Sequence, residues 1–344
     1  MNDARPGTVT ARVTFGLLAA MLGACSRSPG LLPGATTPVQ VTGAATSAQH
    51  NLFVEEDDKI AEYDWTGNLV REIKHGIPKE GFNGGGIAFD SKGTMYVISG
   101  SFTISMYAPV TRKFIGVITD GLQTPLAIAV DHHDNLYAGN SIYQDVVVYV
   151  HGRKQPGRAI SDGIAVPTAM AFDSRDNLYV ANIQGNSVTV YSPDGKLLRT
   201  VREDVEGPEG LALDSKDDLF VANSNYGSGT TVTIYTPHSN KIVASLQTGR
   251  DPLALGTDAA DNLYVANAES GTATVYGSPD WKLRYTISGL KNSRNLLVDA
   301  AGNLYLAGYV RHDARIKIYP PGSEEPSHTI RGIEIVTAMA FGPP

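Results

Sequence analysis

From residue 51 onward, short apolar runs alternate with polar turn sequences, and the alternation repeats. The aligned segments are NLFVEEDDKIAEY (Asn51–Tyr63), MYVISGSFTISMY (Met95–Tyr107), LYAGNSIYQDVVVY (Leu136–Tyr149), LYVANIQGNSVTVY (Leu178–Tyr191), LFVANSNYGSGTTVTIY (Leu219–Tyr235), LYVANAESGTATVY (Leu263–Tyr276) and LYLAGYVRHDARIKIY (Leu304–Tyr319). Measured from Leu52, successive units begin 43, 41, 42, 41, 44 and 41 residues apart. Each complete unit carries four strand-like runs. In one unit these are Ala169–Asp173, Leu178–Asn182, Val188–Ser192 and Leu197–Val201, parted by Ser174-Arg175-Asp176-Asn177, by a loop, and by Pro193-Asp194-Gly195. β-Branched and aromatic residues that alternate with polar ones between turn formers are strand and hairpin signals. No stretch of the repeat region has a helical period. Four antiparallel strands in about 42 residues, repeated seven times, predict an all-β fold: a seven-bladed β-propeller of four-stranded blades.

Two details sharpen that expectation. Ala127, Ala129, Ala169, Ala171, Ala212 and Ala254 fall in the first strand of their units, where strands crowd the axis and small side chains fit. The segment Thr337–Phe341 (TAMAF) repeats Thr168–Phe172, so it supplies a first strand with no second strand after it. Asn51–Ile73 supplies a second, third and fourth strand without a first. Joined, the N- and C-terminal strands predict one shared blade, which closes the ring and removes exposed strand edges.

Composition and charge narrow the partners. With 36 Gly, 19 Pro and only 18 % charged residues, the chain suits short strands and tight turns. A net charge of −7 without a long basic run excludes nucleic acid, whose phosphates need clustered Lys and Arg. Near the N-terminus, Arg5 and Arg12 precede the apolar run Val13–Leu22, which is too short to span a bilayer and is laid out as a secretory signal. Leu22-Gly23-Ala24-Cys25 is similar to the lipobox of bacterial lipoproteins, and Cys25 is the only cysteine. That resemblance implies a signal peptide over residues 1–24 and diacylation of Cys25. It also implies an exported monomer that touches the membrane of the cell envelope through its lipid alone, at the outer membrane or cell surface. Residues 25–48, rich in Gly, Pro, Ser, Thr and Ala, read as a flexible linker, and 49–344 as the propeller domain.

The motif Ala171-Phe172-Asp173, a turn, and then Asn177–Asn182 (NLYVAN), after a lead-in containing Pro167, resembles NHL-type repeats. The wider group includes the gluconolactonase and regucalcin family and streptogramin lyase. The resemblance covers nearly all of residues 50–344 and implies a scaffold; chemistry has to be argued from a site.

Several positions are candidates for such a site. Asp90, Asp131, Asp173, Asp214, Asp258 and Asp299 open the turn between first and second strands, and Asp134, Asp176, Asp217, Asp218 and Asp261 lie within it. Their recurrence in unit after unit points to Asx-type turns rather than calcium loops. The second strand ends, unit by unit, in Glu56, Ser99, Asn140, Asn182, Asn223, Asn267 and Gly308. These positions share a face with connecting segments that contain Pro125, Pro167, Pro208, Pro252, Arg294 and Asn295. Either the asparagines and Glu56 converge on the central channel as ligands, or each asparagine bonds a neighbouring connecting segment and sets blade spacing. The gluconolactonase resemblance implies Glu56, Asn182 and Asn223 as the nearest counterparts of a metal set. With Ca²⁺ or another divalent cation they would make a metal-dependent, lactonase-like hydrolase.

Other chemistry is thinner. The eight histidines hold no common place in the repeat; His132 and His133 lie in a turn and His312 in a face loop. Gly84-Gly85-Gly86 precedes a strand rather than opening a helix, which excludes a phosphate cradle. Most tyrosines sit in strand positions, but Tyr143, Tyr226 and Tyr309 fall in loops between second and third strands, beside Gln144, Gln184, Asn225, Glu269 and Arg311. Aromatic and polar residues at a rim suit a carbohydrate or a peptide. The sequence thus reads as a non-enzymatic binding or scaffold module serving an envelope protein, peptide or carbohydrate, with the hydrolase as its alternative.

Overall fold

A strand buried on both faces needs neighbours on both sides, and this chain supplies them by stacking sheets around an axis. The computed structural model describes residues 50–77, 85–311 and 313–344; the leader, Cys25, the linker and His312 lie outside the described residues. The described strands pair into seven separate four-stranded antiparallel sheets. The protein is a seven-bladed β-propeller. Blade 4 shows the pattern: the inner strand Pro167–Phe172 pairs with Leu178–Asn182, which pairs with Ser187–Tyr191, which pairs with the outer strand Leu197–Val201. Its first three strands are buried along their whole length, whereas the outer strand is half-buried at Leu197, Arg199 and Thr200, exposed at Leu198 and buried only at Val201. Pro167 is tolerated because an inner strand is a sheet edge, so no ladder partner needs its missing N–H.

Blade 1 is built from both ends of the repeat region. Its inner strand, Ala338–Gly342, pairs with Asn51–Glu55 in the register Leu52 opposite Phe341, Phe53 opposite Ala340 and Val54 opposite Met339. Ile60–Tyr63 and Leu69–Ile73 complete it. Blades 2, 3, 5, 6 and 7 open with Ile87–Phe89, Pro125–Val130, Pro208–Leu213, Pro252–Thr257 and Lys291–Val298. A buried guanidinium secures the junction. Arg112, from a turn of blade 2, lies over the rings of Phe53 and Phe89 and donates to the carbonyls of Gly93 and Pro343.

The hydrophobic core is divided among the interfaces. Seven apolar clusters each draw on two adjacent blades, as where Leu52, Val54 and Met339 of blade 1 meet Leu297, Tyr305 and Ile316 of blade 7. Two sets of polar contacts add to this packing. Turn aspartates use one oxygen for backbone N–H groups: Asp131 Oδ1 accepts from His133 and Asn135, and its Oδ2 from the Tyr137 hydroxyl at 3.1 Å. A second aspartate in the turn reaches the preceding blade. Asp134 accepts from Ser91, Asp176 from His132, Asp217 from Ser174 and Asp261 from Ser215, stapling four junctions from blade 2 to blade 6. At the opposite end, Tyr107, Tyr149, Tyr191, Tyr235 and Tyr276 donate to carbonyls at or just past the preceding blade's outer strand: His75, Asp120, Asp162, Glu203 and Gln247.

Candidate functional site

Antiparallel pairing places the start of every inner strand, the end of every second strand and the loop to the third at one end of the ring. This loop end also carries the blade-to-blade segments, so every residue singled out at a second-strand terminus is found there. The asparagines are buried and directed at those segments. Asn140 Oδ1 accepts the Gln123 N–H at 2.9 Å while its Nδ2 donates to Gly121 O and Asp145 Oδ1, both at 2.8 Å. Asn182 accepts from Ala165 N at 3.0 Å and donates to Thr189 Oγ1 at 2.9 Å. Asn223 accepts from Glu206 N and donates to Asp204 O and Thr233 Oγ1, all at 3.0 Å. The donor lies two residues before Pro125, Pro167 or Pro208 in each case. Asn267 departs from the pattern: its Nδ2 donates to Thr274 Oγ1 at 3.2 Å, but its Oδ1 is buried with no hydrogen-bond partner.

Glu56 holds the same station in blade 1. Its Oε2 accepts from Glu334 N at 3.1 Å, two residues before Val336, and its Oε1 lies 3.7 Å from the Lys59 ammonium. A metal ion would compete there with an ammonium already in place. Glu56, Asn182 and Asn223 are thus each committed to a separate connecting segment. Glu55 points the other way, fully buried, and accepts from Gly86 N at 3.1 Å; burial pushes its carboxyl well above the ordinary range. A Cβ on Gly85 would fall 2.9 Å from Glu55 Oε2, so this glycine makes room for the carboxylate. The asparagine contacts are testable. Asn182→Ala leaves the Ala165 N–H and the Thr189 hydroxyl without their partner and should cost about 2 kcal/mol. Urea unfolding reads that loss, and an unchanged midpoint would deny the residue its spacing role.

The loop end also holds a group that the repeat pattern conceals. Glu209 follows Pro208 at the start of the inner strand of blade 5, a position filled by Leu126, Thr168 and Leu253 in neighbouring blades. It is 8 % exposed. The fully buried Ser224 lies between it and Asp251, with Oγ 2.8 Å from Glu209 Oε1 and 2.7 Å from Asp251 Oδ1. Glu209 Oε2 has no hydrogen-bond partner. Burial, with the Asp251 charge adding to it, pushes the Glu209 carboxyl up to about 7. Asp251 is raised as well, chiefly by burial, and Arg294 acts on both through space. The Arg294 Nε donates to Asn292 Oδ1 at 2.8 Å. Blade 5 has the longest loop between second and third strands in the repeat. It folds back so that Gly229 O accepts the Asp251 N–H at 2.8 Å. The sequence signal for this site was a lone acidic residue at a position filled by Leu126, Thr168 and Leu253 in blades 3, 4 and 6 and by Arg294 in blade 7, next to the 44-residue interval.

The rim residues lie farther out. Tyr143 and Tyr226 are 58 and 60 % exposed, and Phe102, in the corresponding loop of blade 2, is 57 % exposed. Tyr309 is half-buried, and its hydroxyl is raised chiefly by burial, with Asp57 adding to the shift. Trp65 and Val110, in turns between third and fourth strands, are exposed at the opposite end.

No family model and no curated protein matches the chain. Solved structures do. The protein is similar to a functionally unknown protein from Desulfotomaculum acetoxidans DSM 771, with a TM-score of 0.68 and 14 % identity over 86 % of this chain and 100 % of that one. It is also similar to Kuenenia stuttgartiensis hydrazine synthase, with a TM-score of 0.56 and 18 % identity over 67 % of this chain and 75 % of that one. The likeness is one of fold. At such identities it carries no chemistry to this chain.

Proposed function

We propose that the protein is a non-enzymatic binding module of the cell envelope, exported and held by a lipid on Cys25, that offers the loop end of its ring to a peptide or carbohydrate. Its repeats we read as NHL-type. The observation that carries the proposal is the set of aromatic side chains on that end: Phe102, Tyr143 and Tyr226 each expose more than half their surface, from loops of blades 2, 3 and 5. Exposed aromatics held by a rigid scaffold offer large contact area at low ordering cost, the property of binding hot spots. The hydrolase alternative gains no support from Glu56, Asn182 and Asn223, whose polar atoms are taken up by connecting segments, by neighbours in their own blades and by Lys59.

The test is a paired peptide and glycan array, probed with the wild type and with a Tyr143→Ala/Tyr226→Ala double variant. The wild type should bind a defined set of ligands, and the variant should lose at least about tenfold in affinity with an unchanged melting temperature, as hot-spot truncation does. Binding to neither array, or binding indifferent to the tyrosines, would overturn the reading.

A further inference from the structure

Within that binding reading, on which this inference rests, the buried group in blade 5 specifies part of the ligand. Ser224 has one hydroxyl proton, and two carboxylate oxygens stand within hydrogen-bond distance of it. It can donate to only one of them at a time. Glu209 Oε2 is buried and accepts nothing. No lysine, arginine or histidine nitrogen among the described residues lies within ion-pair distance of Glu209 or Asp251. Buried carboxylates without a paired cation are costly to keep, and native proteins leave few of them unexplained.

We propose that Glu209, Ser224 and Asp251 seat a primary ammonium group of the ligand, either a lysine side chain or a peptide N-terminus. An ammonium brings three donors and one positive charge. Glu209 Oε2 and the second oxygen of Asp251 can each take one of these donors, while Ser224 Oγ, which also accepts the Gly227 N–H at 3.3 Å, holds the two carboxylates side by side. A calcium ion fits less well, since it takes six to eight oxygens, and the described residues contain no group of three acidic, histidine or cysteine side chains able to hold a metal. The surroundings agree with an amine. Tyr226 stands two residues beyond Ser224 at the exposed rim, where the rest of a peptide would lie. Asp251 has a positive φ of 62°, a conformation that aspartate and asparagine both tolerate, so Asp251→Asn removes charge without disturbing the segment. Protons compete with an ammonium for Glu209, so binding of a lysine amine should tighten as pH rises through about 7, whereas an N-terminal amine, which itself titrates at about 8, should bind best near neutrality.

The experiment is calorimetric titration of the full-length protein with four probes. Nα-acetyl-lysinamide presents the side-chain amine, glycylglycinamide presents the N-terminal amine, the diacetylated lysinamide presents neither, and calcium chloride tests a metal. One amine should bind, its acetylated counterpart should not, and Glu209→Gln and Asp251→Asn should each weaken binding by at least about tenfold while the variants still unfold in one cooperative transition no less stable than the wild type. Which amine binds identifies the source. Binding of neither amine, equal binding of the acetylated probe, or calcium binding lost in Glu209→Gln would each overturn the inference. If Glu209→Gln does not fold, Asp251→Asn and the acetylated probe still decide. Tyrosine-dependent binding on the arrays without any amine binding would sink this inference and leave the binding module standing; loss of both would remove both.

Discussion

A chain ended at Thr337 should not fold. The cut removes Ala338–Gly342, the inner strand of blade 1, and leaves Asn51–Glu55 without one of its two ladder partners. Met339 and Phe341 leave the cluster between blades 7 and 1, while Ala338 and Ala340 leave the one between blades 1 and 2. Burying a Met or Phe side chain contributes about 1.5–3 kcal/mol each, before the lost ladder is counted. A whole domain is stable by only about 5–15 kcal/mol, so the deletion consumes most of the margin. It also opens the ring, exposing a strand edge that invites aggregation. The expected result is insoluble protein, or soluble protein without a cooperative melting transition. A soluble truncated chain that melts within a few degrees of the wild type would show that closure contributes little.

Glu209 should make stability fall as pH rises through the weakly acidic range, and Glu209→Gln should remove that share of the fall, leaving the share of Glu55 and the other raised carboxyls. The folded carboxyl sits at about 7 against an ordinary value of 4.5, with burial as the main cause. The unfolded chain therefore releases this proton first. Between those two values the native state holds the Glu209 proton that the unfolded one has lost, so the contribution of this group declines with rising pH and levels off above about 7. At 1.36 kcal/mol per unit, the shift corresponds to about 3 kcal/mol. Below the ordinary value the protonated glutamate and the glutamine should be nearly equivalent; at pH 8 the variant should be the more stable by about that amount. Urea unfolding of both proteins at the two ends of the range checks this. A wild-type–variant difference that does not change with pH would show that Glu209 is ionised at little cost.

The architecture was legible because each blade writes the same turn and strand residues, and because TAMAF occurs twice, once mid-chain and once at the end. Repetition gives blade count and closure without any knowledge of contacts. It also located Asn140, Asn182 and Asn223, but not the directions of their amides. Strands buried on both faces show no polar alternation, so the sequence does not say which neighbour a side chain meets. The Glu209 site was hidden for a related reason. Asp251 lies 27 residues beyond Ser224 and belongs to the segment leading into the next blade. Only the stacking of blade 6 against blade 5, together with the fold-back of the longer loop, joins the two. A repeat alignment averages over the single unit that departs from it.

The staples and tyrosine clips also make the ring mechanically uneven. Aspartate staples span the junctions from blade 2 to blade 6, and tyrosine clips those from blade 1 to blade 6. Among the described residues neither device crosses from blade 6 to blade 7 or from blade 7 to blade 1: Gly302 stands where the aspartate would, and the Tyr319 hydroxyl is buried without a partner. Blade 7 therefore lies between two seams held mainly by apolar contact. Sub-global opening, and with it amide hydrogen exchange, would begin there, so that the ring parts at its seventh blade while the other six remain joined.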